Sequence, residues 1–196
     1  MSTDRTHPVV LVHGILDTST SLRGMARHLR EHGFRTYSPD LRPNTGRKGL
    51  DEMACDLKTY VDEQFGPEEE FSIVGFSMGG LISRYYLQRL KGLDRVRRFI
   101  SISTPHHGSW CAYGIPNRGC RQMRPGSEFL RDLNKDLHSL EKPRIVSIWT
   151  PFDVMILPSS SSRIAIGTEV TLPIAMHRLM VSDKRTFTAV AGFLAT

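Results

Sequence analysis

Residues 71–81 read FSIVGFSMGGL, a short apolar run that breaks into Ser77 with Gly75, Gly79 and Gly80 around it. Glycine weakens the interior of a strand or a helix, so three of them beside one hydroxyl need a physical reason. A strand, a turn too sharp for side chains two positions away, and a helix whose N-terminus lies beneath the serine would supply it. Gly75-Phe76-Ser77-Met78-Gly79 fits the G-x-S-x-G pattern of such a nucleophile elbow, and the apolar run before it and helical pattern after it are the context the pattern requires. The spacing assigns clearance to Gly75 and Gly79, and close packing of helix on sheet to Gly80.

Outward from this turn, strand and helix signals alternate. HPVVLVHG, residues 7–14, contains a valine-rich run typical of a strand buried on both faces. SLRGMARHLREHG places Leu22, Met25 and Leu29 at helical spacing and stops at Gly33, a C-terminal capping glycine. A short strand is expected near FRTYSPD, and a helix over GLDEMACDLKTYVDEQF, where Met53, Leu57 and Val61 recur every fourth residue. After the elbow and its helix come a strand at 97–104, a loop from Pro105 to Pro125, a helix over SEFLRDLNKDL, strands at PRIVSIWT and EVTLPIA, and a terminal helix over KRTFTAVAGFL. This alternation implies an α/β fold, a mostly parallel sheet covered by helices on both faces.

A chain of 196 residues with 39 % apolar and 23 % charged residues suits one globular domain, residues 1–196, and no linker or internal repeat divides it. No window approaches the roughly eighteen apolar residues of a membrane span. The N-terminus lacks a long apolar segment with a cleavage site, which points to a cytoplasmic protein. Three cysteines, Cys55, Cys111 and Cys120, leave one unpaired under any scheme and suit a reducing compartment; Cys111 and Cys120 could bridge only on oxidation. The net charge of +6 owes much to Arg84, Arg89, Lys91, Arg95, Arg97 and Arg98, then Arg118, Arg121 and Arg124. Without a nucleic-acid motif these read as a solvated helix face, and no nucleic-acid partner is expected.

Serine is a weak nucleophile until a base takes its proton and a carboxylate orients that base. In strand-turn-helix elbows the chain order is serine, acid, histidine. Of eight histidines, only His106, His107, His138 and His177 follow Ser77. Asp153 lies just past a strand, where a loop can carry it to the serine; Asp94, Glu128, Asp132, Asp136 and Glu141 sit in or beside helices among basic neighbours, Glu169 opens a strand, and Asp183 follows every histidine. With Asp153 as the acid, His177 is the one histidine left to be the base. Donors to a developing oxyanion are expected from the backbone N–H of Met78, the residue after the nucleophile, and of Ile15 in the loop after the first strand. His13 is expected to be structural, bonded at the sheet edge.

HPVVLVHGI, VGFSMGG, ISTPHHGSW and the late Asp153 and His177 together resemble the α/β-hydrolase lipases and esterases, especially the small bacterial lipases with almost no cap. The resemblance covers nearly the whole chain and implies an α/β-hydrolase fold with Ser77, Asp153 and His177 as triad and Ile15 and Met78 as the oxyanion hole. It implies a small-molecule ester or lipid substrate, and it admits transient contact with a lipid interface. Thioester hydrolysis or acyl transfer through the same triad is the alternative; a non-catalytic binding module would have no need of all five residues.

The 105–125 loop is longer than in the minimal lipases, and a mobile flap and a rigid surface loop are both compatible with its length. Trp110, Met155, Ile156, Leu157 and Met176, with Leu179, are the apolar candidates for an acyl pocket, against ordinary core packing. Adjacent His106 and His107 point opposite ways on an extended segment, no cysteine pair has zinc spacing, and no phosphate-binding glycine motif is present, so no metal and no cofactor are expected.

Overall fold

The computed structural model describes residues 7–141 and 144–196. The opening residues 1–6 and Pro143, with which the fifth expected strand begins, lie outside the described residues. Six strands, β1 (Pro8–Val12), β2 (Arg35–Tyr37), β3 (Phe71–Phe76), β4 (Val96–Ile102), β5 (Arg144–Trp149) and β6 (Thr168–Thr171), alternate with helices α1 (Arg23–Glu31), α2 (Leu50–Gln64), α3 (Met78–Arg89), α4 (Arg118–Gln122), α5 (Glu128–Lys135) and α6 (Lys184–Ala195). The strands form one sheet in the order β2-β1-β3-β4-β5-β6, and every neighbouring pair is parallel. The short α4 lies inside the 105–125 loop, where no periodic apolar pattern announces it.

The central strands are apolar throughout because both faces are covered. Val9 and Leu11 turn towards α1 and α6 with Val74, Ile100 and Ile148. Val10 and Val12 turn the other way, into the core beneath α2, α3 and α5 with Ile73, Phe99 and Ile145. Parallel strands all end on one edge, so the loops following β1, β3, β4, β5 and β6 meet there. Three of the four non-glycine residues with positive φ among the described residues, Leu16, Ser77 and Ser103, stand on that edge.

The basic residues do not form one solvated face. Arg89 binds Asp132 and Asp136, and Arg95 binds Asp62. Arg84 contradicts the sequence reading altogether: it is fully buried, donating to Leu133 O at 2.7 Å, Gln88 Oε1 at 3.2 Å and His106 Nδ1 at 3.4 Å. Burial pushes its pKa down to about 9. Its place about two turns beyond the elbow, on the face of α3 turned to the 105–109 segment, is invisible in a count of charges.

Candidate active site

Ser77 joins β3 to α3 with φ 53° and ψ −122°, a conformation that costs a side-chain-bearing residue about 1–3 kcal/mol. The surrounding structure enforces it. Ser77 N donates to Ile102 O at 2.8 Å, continuing the β3–β4 ladder into the turn. A Cβ on Gly75 would lie 2.6 Å from Gly80 Cα; one on Gly79 would overlap the carbonyl oxygens of Val12 and His13; one on Gly80 would overlap the side chain of Thr104. All three glycines therefore provide clearance, and Gly80 does so against the segment that follows β4.

The loop after β1 closes on the elbow from the other side. A Cβ on Gly14 would come 3.2 Å from Ser77 Cβ. His13 shapes this loop as expected. Its Nε2 accepts from Leu41 N at 3.0 Å, so its proton is on Nδ1, which donates to Gly14 O at 2.9 Å. Leu16 N donates to Asn44 O at 2.8 Å. The N–H groups of Ile15 and Met78 have no acceptor among the described residues; Met78 opens α3 and so has no intrahelical partner.

Asp153, in the loop after β5, and His177, which opens a short helical turn after β6, are both buried. His177 Nδ1 lies 2.7 Å from Asp153 Oδ2. Asp153 Oδ1 accepts from Met155 N and Ile156 N, each at 2.9 Å, so both carboxylate oxygens are committed. A carboxylate held this way keeps the imidazole proton on Nδ1 and leaves a lone pair on Nε2. The ring lies against Phe76, with centroids 4.8 Å apart.

Ser77 and His177 share the wall of a cavity of about 380 Å³. Of the apolar candidates for an acyl pocket, Met155, Ile156 and Met176 stand in that wall, whereas Trp110 and Leu157 do not; Ile15, the expected oxyanion donor, stands in it too. Trp110 is exposed and stacks on Tyr113, its backbone N–H donating to Leu157 O at 2.9 Å. The residues missing from the sequence reading come chiefly from the 105–125 segment: Cys111, Ala112, Ile115, Cys120 and Met123. Both thiols are free.

That segment is fastened at both ends. Towards the β2–α2 connection, Asn117 Nδ2 donates to Thr45 O and Gly119 N to Gly46 O, each at 2.7 Å, and Leu50 N donates to Gln122 Oε1 at 2.6 Å. Towards the β5–β6 connection, Ser109 Oγ donates to Met155 O at 2.9 Å and accepts from Leu157 N at 3.0 Å and Cys111 N at 3.2 Å. Below it, His106 Nε2 meets Ser101 Oγ at 3.0 Å while Nδ1 faces Arg84, which fixes a neutral ring protonated on Nε2. Burial first, and then the Arg84 charge, hold its pKa well below the ordinary histidine value. The segment is a roof stitched to its neighbours on both sides.

Residues 7–117 match the model of the alpha/beta hydrolase fold family. A triacylglycerol lipase of Pseudarthrobacter phenanthrenivorans is 30 % identical over 111 residues, 53 % of this chain and 34 % of that protein. A lysosomal thioesterase PPT2 homolog of Drosophila melanogaster is 30 % identical over 108 residues, 53 % of this chain and 37 % of its own length. The matched part is thus about a third of either relative. Among solved structures, the mature Bacillus licheniformis lipase BlEst2 superposes with a TM-score of 0.81 at 18 % identity, covering 98 % of this chain and 94 % of the other. Aspergillus fumigatus lipase B gives 0.81 at 16 % identity, covering 97 % and 53 %. With the parallel sheet, the elbow between β3 and α3, and a family match over more than half its length, the chain belongs to the α/β-hydrolase fold family.

Proposed function

We propose that this chain is a serine hydrolase cleaving carboxylic esters of apolar acyl chains through an acyl-enzyme intermediate. The observation that carries the reading is the Asp153–His177 contact at 2.7 Å, with His177 and Ser77 standing together in the wall of one largely apolar cavity. In the proposed cycle His177 Nε2 takes the proton of Ser77 Oγ as that oxygen attacks the ester carbonyl carbon. The oxyanion then accepts from the N–H groups of Met78 and Ile15. The C–O bond to the alcohol breaks, the leaving oxygen takes the proton from His177, and an acyl-serine remains. Water then gives a proton to His177 and attacks the same carbon, and Ser77 Oγ leaves with that proton.

Lipid-like acyl chains are favoured by the surface around the opening. Every exposed large apolar side chain among the described residues lies in a loop at the carboxyl edge: Leu16; Trp110, Tyr113 and Ile115; Phe152, Val154, Met155 and Leu157; Met176 and Leu179. Exposed apolar side chains gathered at one edge of the molecule favour a contact surface there. Ser77→Ala is expected to lower kcat on p-nitrophenyl esters by at least about 10³-fold. Retention of most activity, or failure of an organophosphonate to label wild-type Ser77, would remove the reading. A series from acetate to palmitate, run beside emulsified triglyceride, is expected to rise with chain length.

Thioester hydrolysis is the second reading, supported by the similarity to a protein named a thioesterase. Matched esters and thioesters of one acyl chain separate the two, and added alcohols test acyl transfer.

A further inference from the structure

Two formal charges stand in the wall of the cavity beside Ser77 and His177, Asp17 and Arg178. Asp17 is two residues past Ile15, and Arg178 directly follows His177. On the hydrolase reading, His177 must reach the leaving oxygen to return its proton, so the residue beside it borders the alcohol half of the ester. The apolar wall from Ile115, Met123 and Val154 comes from other segments and suits the acyl half.

Arg178 Nη2 meets Asp17 Oδ1 at 3.4 Å through one oxygen. Arg95 and Arg118 meet carboxylates at 2.8 Å, and Arg89 at 2.7 Å. The Arg178 side chain is 71 % exposed, whereas that of Asp17 is 9 % exposed, and among the described residues this is the one polar contact of the guanidinium. The pair is loose, lopsided in burial, and open on the guanidinium side.

A ligand of a single sign would take one partner and strand the other. Stranding Asp17 is costly, because a nearly buried carboxylate would lose its counter-charge. A neutral alcohol leaves the pair closed. An alcohol with both signs satisfies both partners at once: its anion takes two N–H groups of the guanidinium in a forked contact, and its ammonium takes the carboxylate. We propose that Asp17 and Arg178 form a head-group site for a zwitterionic alcohol, a phosphate with a nearby ammonium, in the ester that Ser77 cleaves. The proposal rests on the hydrolase reading for its substrate, but not for its binding site.

The test compares kcat/KM, below micelle concentrations, for three lauroyl esters: of glycerophosphoethanolamine, of glycerophosphate, and of glycerol. In the wild type the zwitterionic ester is expected to exceed each of the others by about tenfold, the scale of a charge-assisted hydrogen-bonded pair. Arg178→Gln and Asp17→Asn are each expected to remove that ratio, and Asp17→Asn to raise the glycerophosphate ester relative to the zwitterionic one. The ratio is unmoved by a general loss of active enzyme, and Arg178→Lys is expected to restore it in part. A wild-type ratio near one, or a ratio unchanged in Arg178→Gln, overturns the proposal. Binding of glycerophosphoethanolamine to Ser77→Ala protein, followed by NMR shifts and expected to vanish on adding Arg178→Gln, reads the site without turnover. Head-group binding without hydrolysis of any ester would leave this site standing and remove the hydrolase reading. Ester hydrolysis without head-group discrimination would do the reverse.

Discussion

The elbow at 71–81 and the roof at 105–125 border the same cavity, and they are held in opposite ways. The elbow is held by exclusion: backbone passes so close to backbone at Gly75 and Gly79 that no side chain fits, and Ser77 is forced to positive φ. The roof is held by directed hydrogen bonds from Ser109, Asn117 and Gln122 to peptide groups on two other loops. Steric exclusion has no partial form, since the obstructing atoms belong to β1 and α3 and cannot withdraw. Hydrogen bonds can be removed singly, each at a modest cost. The Ser77 end of the cavity is therefore expected to be brittle, and the end under the roof tunable.

Four measurements would break or sharpen this contrast. Gly79→Ala places a methyl group on the carbonyls of Val12 and His13, and is expected to cost about 3 kcal/mol in urea unfolding together with the proposed ester hydrolysis. Near-normal stability would mean that the elbow can give. Ser109→Ala removes one donor and leaves the N–H groups of Leu157 and Cys111 without their acceptor, for an expected loss of about 2 kcal/mol. In that variant the KM for long-chain esters should rise more than kcat falls.

The third concerns pH. Folded His106 resists protonation and the neighbouring His107 is lowered too, by burial and then by Arg84, whereas unfolded histidines take a proton near about 6.5. The unfolded chain then binds more protons, so stability is level above about pH 7. It falls below about 6.5, by up to about 1.4 kcal/mol per unit for buried His106 and by less for His107, which is solvent-exposed. Asp40, Asp136 and Asp183, all lowered, lose their contribution only nearer about 4. Urea midpoints from pH 5 to 8 check the slope, which should be shallower in His106→Gln. The smallest effect is expected from Arg118→Ala: its pairing with Asp51 and Glu52 is half exposed, so the loss should stay below about 1 kcal/mol, and a larger one would make surface charge part of the roof's fastening.

The legible features follow either from sheet topology or from a local pattern. The order Ser77, Asp153, His177 follows from which loops can reach a parallel sheet's carboxyl edge, and the apolar runs of β1 and β3 follow from burial on both faces. Gly75 and Gly79 were readable because a turn within a few residues demands them. Gly80 was half readable, since its neighbour Thr104 is 24 residues away and belongs to another strand's exit. Arg84 looked like surface because its environment consists of the Leu133 carbonyl and His106, brought to it only by packing. Trp110 and Leu157 are as apolar as Met155 and Met176, yet only the latter two face the cavity, a matter of side-chain direction that composition does not carry.

By itself, then, the sequence determined the alternating α/β architecture and the elbow around Ser77, because periodicity and glycine clearance are constraints between near neighbours, and it nominated Asp153 and His177 because chain order along a parallel sheet leaves few loops that can reach the serine. The tertiary structure alone decided that the 105–125 segment is a fastened roof, that Cys111 and Cys120 stand in the cavity wall, and that Asp17 faces Arg178 across 161 positions of chain. Those are relations between segments that meet only after the sheet has formed, and nothing in either segment's own pattern encodes the partner it will find.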